Sequence, residues 1–450
     1  MNAVGERNTM DMNFNEIIER ALKKGCDKAE VYIKNSRGIS VEAKGGKVES
    51  LEASRGFNIA LRVIKKKRTG FSFTTNMENI ENLVDEAVQG AEWNSEDAYT
   101  GIPESSPAAE VQIFDPLIDE IKDDEIIRDA LLLEEKALSY DRRIQKVRKA
   151  EADSGISSTL ILNSSGINAS YRSSYYAAMV STLAHDGNGD SQMGWEHGVS
   201  RRKSDIDLEA IGQGSAKRAL ELLGSRKMSA VKVPIILSPS VAISFLGILS
   251  ASLSAEAVQK KRSFLAGKKD KAIISRHINI IDDGTMPWKA GTRPVDDEGV
   301  TCKNKTLISG GVLKGYMYNH YSAVKDGVHS TGNALRANPR SMPGIGVANF
   351  YLDGPATKSG DDLVRCLSRG VKILSAMGIH TANPVSGDFS VGISGQWIEN
   401  GEIQYPVKEA VISGNILDMF KRVEEIGTDL TFYGNMGASS LLIGDMDISA

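Results

Sequence analysis

Residues Phe57-Asn58-Ile59-Ala60-Leu61-Arg62-Val63-Ile64 form a strand-like run, pass through Lys65-Lys66-Lys67-Arg68-Thr69-Gly70, and resume as Phe71-Ser72-Phe73. Two such runs joined by a short polar connection ending in glycine specify a hairpin, with the basic tetrad as its turn. Ala29 to Ile33, Ile39 to Ala43 and Lys47 to Leu51 precede it as further strand-like runs. On either side lie helical stripes. Asn13 to Lys24 carries Phe14, Ile17, Ile18, Ala21 and Leu22 and is closed by Gly25, while Asn79 to Trp93 puts Ile80, Leu83, Val84 and Ala87 on one face. Helices that bracket a strand cluster predict an α+β layer.

The same grammar recurs. Thr100 to Pro116 has no periodicity and reads as a linker. Beyond it Ile118 to Leu138 is read as a helix, and Ile144 to Ala152, Ser157 to Leu162 and Ile167 to Ala184 as strands, with Asn163-Ser164-Ser165-Gly166 as a turn. Ser204-Asp205 is read as the cap of a helix carrying Leu208, Ile211, Ala219, Leu220 and Leu223. Val231 to Leu237 is a buried-strand run, followed by an N-cap Ser238 and N1 Pro239 that start a helix to about Ser252. The remainder is strand-rich and punctuated by glycine, with one more helix expected over Asp361 to Met377. The fold class expected is α+β: two N-terminal domains of helix plus antiparallel sheet, over 1–105 and 117–228, and a strand-rich C-terminal α+β domain over 230–450. A chain of 450 residues is long enough for domains of about 150 residues each.

Charge and cysteine content exclude several roles. The net charge of −4 comes from interspersed acids and bases, so no overall basic field draws the chain to nucleic acid or an anionic membrane. Lys65 to Arg68, Lys260-Lys261-Arg262 and Lys268-Lys269 are short, lack interleaved aromatics, and read as solvated turns. Cys26, Cys302 and Cys366 are far apart and odd in number, which fits a reducing compartment. Met1 to Arg7 has no apolar core of a signal peptide, and no stretch approaches the ~18 apolar residues of a membrane helix. A cytoplasmic protein is expected.

Three motifs stand out between Arg293 and Arg336: Asp296-Asp297-Glu298-Gly299, Ser309-Gly310-Gly311-Val312-Leu313-Lys314-Gly315-Tyr316, and Ser330-Thr331-Gly332-Asn333-Ala334-Leu335-Arg336. The acidic block is either turn chemistry or an ion-pairing contact across subunits. Thr331, Gly332, Asn333 and Arg336 offer donors that either grip a peptide backbone or hold a structural loop. Gly387, Asp388, Phe389 and Ser390 either line a groove for an added strand or make a tight turn on Gly387. His185, His197, His277, His320, His329 and His380 include no pair at helical ligand spacing.

In that order and spacing, these motifs resemble the TldD/PmbA (TldE) family, once called modulators of DNA gyrase and regarded as a zinc metallopeptidase and its partner subunit. Ser263-Phe264-Leu265-Ala266-Gly267, the block from Ser386 to Val407 and the hairpin from Gly56 to Phe71 add to the likeness. In the family's zinc-bearing subunit, a helix before the Ser263-type block carries His-Glu-x-x-x-His, and a cysteine near the C-terminus completes the site. Here the corresponding positions fall at about Leu246-Gly247-Ile248-Leu249-Ser250-Ala251, and Thr431 to Ala450 holds no thiol or imidazole. The resemblance therefore implies the PmbA/TldE-like branch. That branch has no metal ligands or catalytic residues of its own; zinc is expected in a TldD-like partner, and the substrate is an extended, unfolded or precursor peptide. Two rival readings remain: an independent homodimeric peptide or protein binder of the gyrase-modulator type, and a self-sufficient hydrolase built on Cys302, His320 and His329.

Overall fold

A computed structural model describes residues 13–449; the Met1 to Arg7 segment read above lies outside them. Six antiparallel strands form one sheet: β1 (Lys28–Lys44), β2 (Lys47–Lys65), β3 (Arg68–Thr74), β4 (Ile144–Asn163), β5 (Asn168–His185) and β6 (Ser191–Ser200), in the order β3-β2-β1-β4-β5-β6. The first-domain hairpins and the strands beyond the linker therefore join edge to edge. Their seam runs from Glu30 opposite Asn163 to Ala43 opposite Ala150. The basic tetrad does turn the chain, with Lys66 and Lys67 both left-handed at φ 49° and 59°, the conformation a two-residue hairpin loop requires.

Alternation along the strands sorts the two faces. Val31, Ile33, Ile59, Leu61 and Val63 pack under helices α1 (Asn15–Lys23) and α2 (Ile80–Trp93). Further along the same face, Val41, Ala150, Ala152 and Tyr176 lie under α3 (Asp123–Leu138), with Ile211 of α4 (Leu208–Glu221). The opposite face carries Tyr32, Ala60, Ile161 and Ile167, which meet Val295 of the C-terminal body. The sheet is thus sandwiched between a helix layer and that body.

Besides a two-stranded sheet, Ala334–Arg336 with Pro343–Ile345, the body is built on two large sheets. In the larger one, Leu441–Ser449, Val231–Leu237, Arg369–Met377, Asp388–Glu399 and Glu402–Asn415 pair in sequence, and Val411 and Ile412 pair back to Ser449 and Ile448 to close a ring. The smaller includes Asn279–Asp283, Asn304–Ser309, Asn349–Asp353 and Met436–Ala438. Helix α5 (Pro239–Ser252) packs against both, and its Val241, Ala242, Phe245, Leu246 and Leu249 enter the main core.

Four expectations need correction. The helix over Asp361 to Met377 ends at Arg365, and Arg369–Met377 is a strand inside the large sheet. Leu363, Val364 and Leu367 pack in a small side cluster, whereas Val371 and Ile373 enter the main core on a strand, so one helical period had merged two elements. The helix expected from Ile118 breaks after Pro116–Glu120, because Ile121 and Lys122 are extended. Asp207, not Ser204-Asp205, caps α4 by accepting a bond from the Ala210 amide at 2.9 Å. Strand β6 was not anticipated; its glycines Gly194 and Gly198 lie against α4, where a Cβ would meet its backbone or Ile211.

Candidate functional site

Glu30 and Arg62 sit opposite each other in the β1–β2 register, on the face turned toward the C-terminal body. Arg62 Nη2 donates to Glu30 Oε2 at 2.6 Å, and Arg62 Nη1 donates to Glu298 Oε1 at 2.8 Å. Arg336 Nη2 donates to the other Glu30 oxygen at 2.8 Å, and its Nη1 to the Ser341 carbonyl at 2.6 Å. The Arg336 guanidinium also lies 4.7 Å from the centre of the Tyr32 ring. Glu298 completes its valence by accepting the His320 amide at 2.8 Å. No member of this quartet is more than 6% exposed. Burial pushes Glu30 above the usual carboxylate range, and the Arg62 and Arg336 guanidiniums oppose that push.

The acidic turn supports the quartet from below. Asp296 Oδ1 accepts the Glu298 and Val300 amides at 3.0 and 2.9 Å, while Oδ2 accepts Ala334 at 2.9 Å. Asp297 Oδ2 takes the Arg336 amide at 2.7 Å. Gly299 adopts φ +83°, and a Cβ there would stand 2.5 Å from Ile167 Cγ2, so only glycine lets this turn touch the β4–β5 corner. Burial, then the Glu298 charge, pushes Asp296 up to about 7.

The third motif closes the network. Thr331 Oγ1 donates to Asn333 Oδ1 at 2.7 Å, and Asn333 Nδ2 donates to Asp282 at 2.7 Å and to the Gly346 carbonyl at 2.9 Å. Gly332 is left-handed at φ +72° and receives the Cys302 thiol on its carbonyl at 3.6 Å. Asp296, Asp297, Glu298, Asn333 and Arg336 are thus brought together and buried, each with hydrogen bonds inside this chain, while Arg336 Nε stands without a partner among the described residues. Gly387, Asp388, Phe389 and Ser390 lie apart from them. Gly387 turns at φ +83°, Asp388 accepts Asn415 at 2.9 Å, Phe389 packs edge-on to Phe245 of α5 at 5.0 Å, and Ser390 is exposed.

Two groups of residues escaped the sequence reading. Glu30 and Arg62 each interrupt an apolar strand run, and a charge in such a place is the signal that marks them. The other group gathers β6, α4 and the segment after Leu430. Trp195 stacks on His197 at 5.5 Å, both face the Tyr433 ring, and Arg218 joins Glu196 at 3.0 Å and Ser240 of α5 at 3.3 Å. Burial pushes His197 below the usual imidazole range.

Around α5 the chemistry is bare. The helix has no charged residue over its length; Leu246 and Leu249 are buried, whereas Ile243, Ser244, Gly247 and Ile248 are half-buried and Ala251 is exposed. A Cβ on Gly247 would meet no atom within 4 Å. Among the described residues, no three His, Cys, Asp or Glu side chains come together to hold a metal ion. Burial pushes the Cys302 thiol up to about 11, so it remains protonated at neutral pH.

Three domain profiles of one family match the chain: the PmbA/TldA metallopeptidase domain 1 over residues 29–91, its central domain over 116–223, and its C-terminal domain over 230–450. The chain belongs to the PmbA/TldD metallopeptidase family. Among its relatives, the metalloprotease PmbA of Escherichia coli O157:H7 is 29% identical over 451 residues, covering 99% of this chain and 97% of that protein. A metalloprotease TldD homolog of Haemophilus influenzae is 25% identical over 425 residues, covering 90% and 86%. A crystal structure from Thermotoga maritima MSB8, described as a modulator of a DNA gyrase, superimposes with a TM-score of 0.89 at 27% identity, covering 97% of this chain and all of that one. The PmbA/TldD family implies a zinc ion, but the residues on α5 do not fit one. Its open face presents Ile243, Ser244, Gly247, Ile248 and Ala251, with no imidazole, carboxylate or thiol. No catalytic step through zinc is therefore derived for this chain. No helix among the described residues is long and apolar enough to cross a membrane.

Proposed function

We propose that this chain is the non-catalytic, PmbA/TldE-like subunit of a cytoplasmic metallopeptidase complex, pairing with a TldD-like chain that supplies zinc and the catalytic groups. The observation that carries the reading is α5: the family's frame persists around it, while its open face holds only small and apolar side chains. The substrate class is an extended peptide from an unfolded or precursor protein, and this subunit contributes part of the wall that holds it. Asp388 and Ser390, exposed beside the Phe389–Phe245 contact, are its peptide-facing or partner-facing candidates. Asp296, Asp297, Glu298, Thr331, Gly332, Asn333 and Arg336 shape that wall from behind.

The test is reconstitution. The purified chain is measured for zinc and for peptide turnover, alone and after mixing with a TldD-like chain of the same source. A stable mixed complex with turnover, and no zinc in this chain alone, is expected. Stoichiometric zinc in the isolated chain together with chelator-sensitive turnover would overturn the reading, as would failure to associate with the TldD-like chain.

A further inference from the structure

Lys260, Lys261, Arg262, Lys268, Lys269 and Lys271 lie within twelve residues of a chain whose net charge is −4. Five of the six are exposed and Lys268 is half-buried. Elsewhere, in the hairpin turn, two of the four cations are matched, Lys65 with Glu92 at 2.7 Å and Arg68 with Glu96 at 3.3 Å. In this loop only Lys260 has a carboxylate within 4 Å among the described residues, namely Glu256. Asp270 is the sole acid inside the loop.

The loop is not a slack one. Ser263, Phe264 and Leu265 are buried under it. Ser263 Oγ donates to the carbonyl of Ser252, the last residue of α5, at 2.6 Å, and Tyr316 Oη donates to the Leu265 carbonyl at 2.7 Å. The Asp270 amide bonds Leu313, and the Lys268 and Lys271 amides bond Leu265 and Lys268 in turn. Lys261 and Asp270 are held left-handed at φ 56° and 63°, a strain that persists only where the surroundings fix it. The held backbone keeps these cations on one short segment, and those without internal partners keep their full attraction for an outside anion. The Ser252–Ser263 bond ties the loop to the C-terminal end of α5, on which Ile243, Gly247 and Ile248 are half-buried.

We propose that the loop Lys260–Lys271 is a docking site for a carboxylate-rich stretch of an extended peptide, whose flanking apolar residues lie along the open face of α5. This rests on the peptide-holding role above and narrows its substrate class to peptides that place acidic next to apolar residues. Nucleic acid fits less well. The one aromatic of the loop, Phe264, is buried beneath it, so no stacking platform accompanies the charge.

The probe is a short fluorescein-labelled peptide of alternating glutamate and alanine, with its glutamine counterpart as control, titrated with the full chain by fluorescence anisotropy. The glutamate peptide should bind more tightly by about tenfold or more, the gap narrowing as salt rises from about 0.05 to 0.3 M. Lys261→Glu with Lys269→Glu should abolish that preference. Lys66→Glu with Lys67→Glu, which reverses the same charge in the hairpin turn, should leave it intact. Equal binding of the two peptides, no binding of either, or equal damage from the two double variants would overturn the site. So would tighter binding of a single-stranded oligonucleotide to the same loop. Each of these results leaves the peptidase-complex reading standing, since that reading falls only on its own reconstitution.

Discussion

Glu30, Arg62, Glu298 and Arg336 are no more than 6% exposed, and every one bonds an opposite charge drawn from a distant part of the chain. Between Lys260 and Lys271, six cations stand at or near the surface and one has an acid beside it. The contrast follows from solvent. A buried charge must find its counter-charge inside the fold or cost several kcal/mol, so every charge at the joint between sheet and body is paired, although Arg62 Nε and Arg336 Nε are buried without a hydrogen-bond partner among the described residues. An exposed charge is under no such obligation, and its valence stays available. The motifs most conspicuous in the sequence mark the place where charges are paired; the plain run of lysines marks the place where most are not.

Glu30→Ala is the hardest test of the joint, since it leaves Arg336 with no carboxylate and Arg62 with Glu298 alone. It should cost about 3–5 kcal/mol in urea denaturation, and a loss below about 1 kcal/mol would show that the joint is hydrated and the contrast false. Gly299→Ala should follow, at about 1–3 kcal/mol, because φ +83° and the Ile167 contact both oppose a Cβ.

A pH effect of up to about 4 kcal/mol is expected as well. Asp296 is pushed up to about 7, above the usual aspartate value near ~4, so the folded chain holds a proton that the unfolded chain releases. Its contribution to stability is present at low pH, is lost as pH rises from about 4 to about 7, and is level beyond. Asp296→Asn should remove that decline when urea midpoints are compared across the window. Parallel midpoints for the two proteins would mean that the Val300 and Ala334 amides keep Asp296 ionised throughout. Lys269→Ala, at the other pole, should change stability by no more than about 0.5 kcal/mol while weakening the glutamate peptide; a larger stability loss would move that lysine into the structural class.

What the sequence disclosed depended on range. The hairpin turn at Lys66-Lys67 was legible because a short polar link between two strand-like runs is a local signal, and both residues are left-handed in the fold. The α5 start at Pro239 and the strand Val231–Leu237 were legible for the same reason. Arg369–Met377 was misread because Val364, Leu367, Val371 and Leu374 satisfy a helical period, and only the neighbouring strands on both sides make the second half extended. The joint was invisible as an assembly, since Arg336 and Glu30 are 306 residues apart. Asp296 and Asn333 could be nominated from their motifs, but not their burial, because nothing local says which partner will cover a loop.

The seam between β1 and β4 also sets a timetable. The β1–β2 hairpin can form as soon as it is made, yet the other edge of β1, from Glu30 to Ala43, has no partner until Asn163 has been synthesised. Arg336 arrives 306 residues after Glu30, roughly 15–60 s later at ordinary translation rates of about 5–20 residues per second. Until β4 is made, well before Arg336, that strand edge is open to other nascent chains. Glu30 lies on that edge and Arg62 on the neighbouring strand, both still hydrated, and charges so placed discourage edge-to-edge pairing. The residues that later clamp the finished molecule thus serve first as guards of an unfinished one.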